Sequence, residues 1–245
     1  MSDQNRHKVN FYLIWKKFSA SKVNLFVFLG FVVFLGIIWK IESYLVSFHL
    51  YLFLFPYLFL FFSQDMMRGE IESGCLENVI FINKSFKNYL WDKNYFLAFI
   101  AISVSLLFFL IYYGYGIIMH SVEPSHLDRL CLGLLVGLYY LALSGFLSFY
   151  LRGGSNVAAI LGFQFMFFIW FLFSAKYYEE LIENVEKGVI LGFAAKMKIA
   201  AVIVVFPNLI ILKNLSFYWS EVLLLLLLFL GLENWKINRM ELPKR

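Results

Sequence analysis

Two stretches of this chain decide what it can fold into. Val23–Trp39 and Val222–Leu230 are almost unbroken apolar runs, and such a run has no polar face to turn toward water. Strands of an outer-membrane barrel would alternate apolar and polar side chains, which neither run does. As a helix, Val23–Trp39 approaches the length needed to cross a hydrocarbon core of roughly 30 Å. The rest of the chain agrees. Its 245 residues are 62% hydrophobic and 15% charged, with a mean hydropathy of +0.76, more apolar surface than a soluble domain of this length can cover. The expected fold is an all-α polytopic membrane protein, a single unit over residues 1–245, resident in an inner or plasma membrane. The first run begins at residue 23 without a small-residue cleavage site, so no cleavable signal is expected.

Hydropathy places membrane helices at about 23–39, 44–63, 95–119, 130–150, 157–175 and 217–233. A further apolar stretch, Ile199–Leu212, is short and contains Pro207, which suits a re-entrant or interfacial segment better than a crossing. Charge separates six spans from seven. With six and the N-terminus inside, fourteen Lys and Arg residues lie on the inner side and seven outside; a seventh crossing would change this to eleven and ten. The positive-inside rule therefore predicts six transmembrane helices with both termini cytoplasmic. Two connections are long: 64–94 inside and 176–216 outside. The net charge of +5 sits in membrane flanks rather than in a nucleic-acid-binding patch.

Few residues invite chemistry. The chain has no G-x-x-x-x-G-K-[S/T] loop and no H-E-x-x-H pair, and Cys75 and Cys131 have no metal-site spacing. No enzymatic activity of its own and no bound cofactor are expected. His49, Gln164 and Glu221 are the polar residues to weigh as a pathway. His49 falls within the second span, where an ionisable group is expensive; a neutral imidazole bonded to a neighbouring helix would satisfy the same sequence. Glu221 lies near the outer end of the sixth span, where snorkelling or capping accounts for it. Gly133 and Gly137 form a small-xxx-small pattern that allows close helix approach, within one subunit or between two.

Residues 1–22 have more shape. Phe11, Ile14, Trp15 and Phe18 recur at helical spacing among Lys8, Lys16, Lys17 and Lys22. That pattern describes an amphipathic helix able to lie on an anionic inner leaflet. The loop at 64–94 segregates its charge: Asp65, Glu70, Glu72 and Glu77 in the first half, Lys84, Lys87 and Lys93 in the second. Met67, Ile71, Gly74 and Cys75 can share one helical face, giving a short helix with a small-residue notch suited to docking a soluble partner.

Here the chain resembles a family. Glu70-Ile-Glu72-Ser-Gly74-Cys-Leu76-Glu77 is similar to the E-x-E-x-G-T-L-E signature that follows the second span of ABC-2 type transporter permeases. Lys84-Ser85 and Lys93 resemble the continuation into the third span. Cys75 stands where threonine is usual, Asn83 near the expected proline, and Asp92 at the usual glycine. The resemblance implies a cytoplasmic coupling helix docking on a separate ATPase through Glu70, Glu72, Gly74, Leu76 and Glu77. ATP and Mg would be held by that partner chain, not by this one. It also implies a second permease copy or a homologous permease, and re-entrant helices within 176–216. The expected role is the permease of an ATP-driven exporter. The 21% aromatic content fits a pathway for lipidic, amphipathic or peptide cargo as well as lipid-facing rings. The rival expectation is a proton-coupled secondary transporter using His49 and Glu221.

Overall fold

The computed structural model describes residues 3–41, 43–64, 86–151, 154–173, 183, 201–213 and 219–239, and every regular element among them is a helix. The coupling segment, with Glu70, Glu72, Gly74, Leu76 and Glu77, and most of 176–216 lie outside the described residues. The elements are α1 (Asp3–Ala20), α2 (Lys22–Ile41), α3 (Tyr44–Leu54), α4 (Pro56–Phe62), α5 (Phe86–Ile118), α6 (Ser125–Leu147), α7 (Ser155–Phe173), α8 (Asn208–Lys213) and α9 (Trp219–Arg239).

Among the described residues, three helices are long and apolar enough to cross a membrane: Lys22–Lys40, Lys87–Ile118 and Ser125–Leu147. A fourth is gained if α3 and α4, bent by 40° at Phe55, count as one broken span. The bend follows from Pro56, which has no N–H for the helical ladder and sits at the start of α4, where that loss is tolerated. α7 is apolar but shorter, and the apolar stretch of α9 is bounded by Glu221 and Glu233. α5 begins about nine residues before the hydropathy-placed third span, so its first turns run past the apolar stretch.

Contacts sort the helix ends into two groups. At one end, the Phe18 ring meets Phe62 at 5.3 Å and Phe96 at 5.8 Å, joining α1 to the end of α4 and the start of α5. Lys87 Nζ donates to Asn238 Oδ1 at 2.9 Å, and Lys236 lies 4.9 Å over the Tyr150 ring, bringing the end of α9 to the same place. At the other end, Trp39 stacks on Tyr112 at 4.7 Å, and Tyr44 donates to the Tyr112 carbonyl at 2.8 Å. α6 lies at the centre, with α9 and α4 as its main neighbours. Both run in the same direction as α6, as Phe55 opposes Gly133, Phe59 opposes Gly137 and Glu233 opposes Gly145.

The Gly133–Gly137 pattern is thus filled from within the chain. A Cβ on Gly137 would stand 2.5 Å from Phe59 Cδ2, and one on Gly133 would overlap the ring edge of Phe55. Both rings are fully buried and have nowhere to retreat. We therefore expect Gly137→Leu to lower stability by about 3 kcal/mol, the upper range for overpacking a core. Thermal unfolding of the purified protein in detergent would measure the loss, and an unchanged melting temperature would contradict this packing.

Candidate functional site

The polar atoms at the middle of the bundle gather where helices break. Where a helix stops inside a bilayer, its last carbonyls lose their amide partners, and no water replaces them. Two breaks occur, at Phe55–Pro56 and at Phe206–Pro207. Beyond the second, Leu209 N–H bonds the Phe206 carbonyl at 3.2 Å, not that of Val205 four residues back. The freed carbonyls are met by side chains instead. Gln164 Nε2 donates to Val205 O at 2.9 Å, Tyr139 to Val204 O at 2.8 Å, and Asn208 Nδ2 to Phe53 O at 2.6 Å. Tyr140 links them: its hydroxyl donates to Asn208 Oδ1 and accepts from Gln164 Nε2 at 2.8 Å. Tyr57 completes the set by donating to Gln164 Oε1 at 3.1 Å.

The same device recurs lower down. The Ser63 carbonyl, just past the end of α4, is approached by Asn156 Nδ2 and Ser144 Oγ, each at 3.4 Å. Asn156 Nδ2 also donates to Ser144 Oγ at 2.7 Å. Immediately beneath the broken segment is a cavity of about 340 Å3 between α6, α7, α9 and residues 204–205.

Of the residues weighed as a pathway, only Gln164 sits in this network. His49 lies midway along α3, its ring 5.5 Å from that of His126. His126 is fully buried, and its Nδ1 accepts the Glu123 N–H at 3.2 Å. That bond fixes the ring's proton on Nε2, which finds no partner, as do His49 Nε2 and Arg129 Nε. Glu221 is elsewhere, in the first turn of α9, bonded to Ser220 at 2.8 Å. Neither His49 nor Glu221 lines the cavity. Among the described residues, no cluster of three or more His, Cys, Asp or Glu side chains could hold a metal ion.

At the α1 end, two buried carboxyls join helices that are distant in sequence. Asp92 accepts from Asn10 Nδ2 at 2.6 Å and from His7 Nδ1 at 2.8 Å. Helix α1 is thereby fixed to α5, with Phe11 and Trp15 edge-on to Phe96 at 5.9 and 6.1 Å. Glu233, fully buried on α9, accepts from Asn94 Nδ2 at 2.7 Å, and its other oxygen and Asn94 Oδ1 have no partner. A Cβ at Gly145 would stand 2.9 Å from Glu233 Oε1, so the carboxyl is seated on that glycine.

No family model matches this chain, and neither does any curated protein or solved structure.

The Asn94–Glu233 pair gives an asymmetric expectation. Asn94→Leu strips the carboxyl of its donor and should cost about 1–3 kcal/mol, whereas removing both partners is close to neutral. Thermal unfolding of Asn94→Leu and of the double variant with Glu233→Leu should show the second change restoring most of the loss. A double variant less stable than the single one would contradict the pairing.

Proposed function

We propose that this chain is the permease subunit of an ATP-driven exporter of the ABC-2 type. In this reading six spans bring both termini to the cytoplasmic side, and residues 199–212 re-enter the bilayer before the last span. The observation that carries the reading is the sequence Glu70–Glu77, together with where its flanks lead. The described chain runs past α4 to Gln64 and resumes at Phe86; Phe62, just before the first of these points, packs with Phe18 of α1 and Phe96 of α5. The end of α9 meets the first turn of α5 through Asn238 and Lys87. A docking segment rooted there can pass a push from an ATPase to α4, α5, α1 and α9 together.

The remaining roles follow from that arrangement. Gly74 permits close backbone approach, Leu76 fills an apolar pocket, and Glu70, Glu72 and Glu77 meet basic groups on the ATPase. Hydrolysis belongs to the partner, which holds ATP and Mg. Two permease chains face each other in the bilayer, and their helices line the path. Within each chain the bent span α3–α4 and the break at Pro207 are the places where helices can pivot, since neither carries a continuous backbone ladder.

The test is a charge reversal. Truncating one member of a buried charge pair typically costs about 2–5 kcal/mol of binding, and reversing its sign adds repulsion. Glu72→Lys with Glu77→Lys should still insert in the membrane but should no longer co-purify with the ATPase or stimulate its hydrolysis. The same reversal at Glu179 and Glu180, on the opposite side in this topology, should leave ATPase binding intact. Normal binding in the first variant, or its loss in the second, would sink the assignment.

A further inference from the structure

The cavity beneath the Pro207 break has a lining with an unusual polar balance. Leu143, Ile160, Phe163 and Phe229 form its apolar walls, and Gln164 and Tyr139 are its polar side chains. Their donors are already committed. The Gln164 amide gives its two N–H groups to the Tyr140 hydroxyl at 2.8 Å and the Val205 carbonyl at 2.9 Å. The Tyr139 hydroxyl gives its proton to Val204 O at 2.8 Å. A phosphate, carboxylate or peptide carbonyl entering here would therefore lose its water and find no donor, at a cost of about 1–3 kcal/mol for each stranded group. A hydrocarbon end would lose nothing.

The mouth of the cavity points the same way. Phe163 and Val204 stand at its rim, 62% and 39% exposed. The flanking helices expose further apolar side chains, Phe165 and Met166 on α7 and Leu224 and Leu227 on α9. We infer that this cavity binds the alkyl tail of a lipid or lipid-like molecule, which enters tail first from the hydrocarbon past Phe163 and Val204. The volume suits a part of a molecule and not the whole. A dry apolar cavity of roughly 150 Å3 holds a benzene, so about 340 Å3 admits a length of chain while the headgroup stays outside. The inference deepens the exporter reading by naming the part of the cargo that is recognised. It rests on the bilayer half of that reading and not on the ATPase.

Photochemical labelling tests it on the full chain reconstituted in phosphatidylcholine vesicles. One probe is phosphatidylcholine carrying a diazirine at the chain terminus, a second carries it beside the glycerol, and a third is a free fatty acid with a terminal diazirine. The chain-terminal probes should label peptides containing Leu143 or Phe163, and whichever of the two labels more strongly tells a bilayer lipid from a free acid. Ala159→Phe and Val204→Phe, which add bulk at two positions of the lining, should each cut that labelling roughly tenfold. Labelling at Leu107 and Leu110 of α5 should not change, nor should the melting temperature. Equal labelling of the cavity by the glycerol-proximal probe, or no loss in a folded filled variant, overturns the tail site and leaves the exporter reading standing. An α5 band that takes no label from any probe overturns the bilayer reading along with it.

Discussion

Side chains closing carbonyls that a broken helix has opened form the interaction on which the rest of this structure depends. In water, a helix interrupted by proline merely exposes a few carbonyls to solvent. In hydrocarbon each such group costs several kcal/mol unless a protein donor reaches it. Asn208, Gln164 and Tyr139 reach the carbonyls of Phe53, Val205 and Val204, and Tyr140 ties the first two together. The bonds connect α3, α6, α7 and the segment around Pro207. Five polar side chains, counting Tyr57, therefore fix the relative positions of elements that van der Waals contact alone would leave free to slide.

Packing is built around that lock. α6 supplies small residues where neighbours must come close: Gly133 and Gly137 receive the rings of Phe55 and Phe59, and Gly145 receives the Glu233 carboxyl. Large residues fill the layers between, and Tyr139, Tyr140 and Val136 are almost wholly buried. Below the lock the helices diverge and leave the cavity; beyond it α3 and α5 close through Tyr44, Tyr51 and Ser47, which bond Tyr112 O, Ser105 O and the Tyr112 hydroxyl.

Much of the architecture was legible in the sequence. Apolar runs found the long helices, although α5 begins about nine residues before its apolar stretch, and Pro207 in a short apolar stretch marked a break. Helical spacing at Phe11, Ile14, Trp15 and Phe18 found α1, although its face is shared between surroundings and protein: Ile14 and Asn10 are buried against α5 while Trp15 stays half exposed. The site itself was harder to read. Gln164 stood out as a lone amide in an apolar run. Tyr57, Tyr140 and Asn208 did not, because each looks ordinary alone, and their significance lies in partners 24 to 155 residues away. His126 is inconspicuous in the sequence for the same reason, and Asp92 stood as a departure from a motif until His7 and Asn10 gave it partners.

A double-mutant cycle between Gln164 and Asn208 tests the lock most directly. Both side chains bond the Tyr140 hydroxyl. Unfolding free energies would be measured for Gln164→Leu, Asn208→Leu and the pair, in the same bilayer or detergent. The account predicts non-additive losses, with a coupling of about 0.5–3 kcal/mol, as for residues in one hydrogen-bonded network. Losses that add to within about 0.5 kcal/mol, as independent sites do, would mean that the breaks at Pro56 and Pro207 are satisfied separately, and the central lock would not exist.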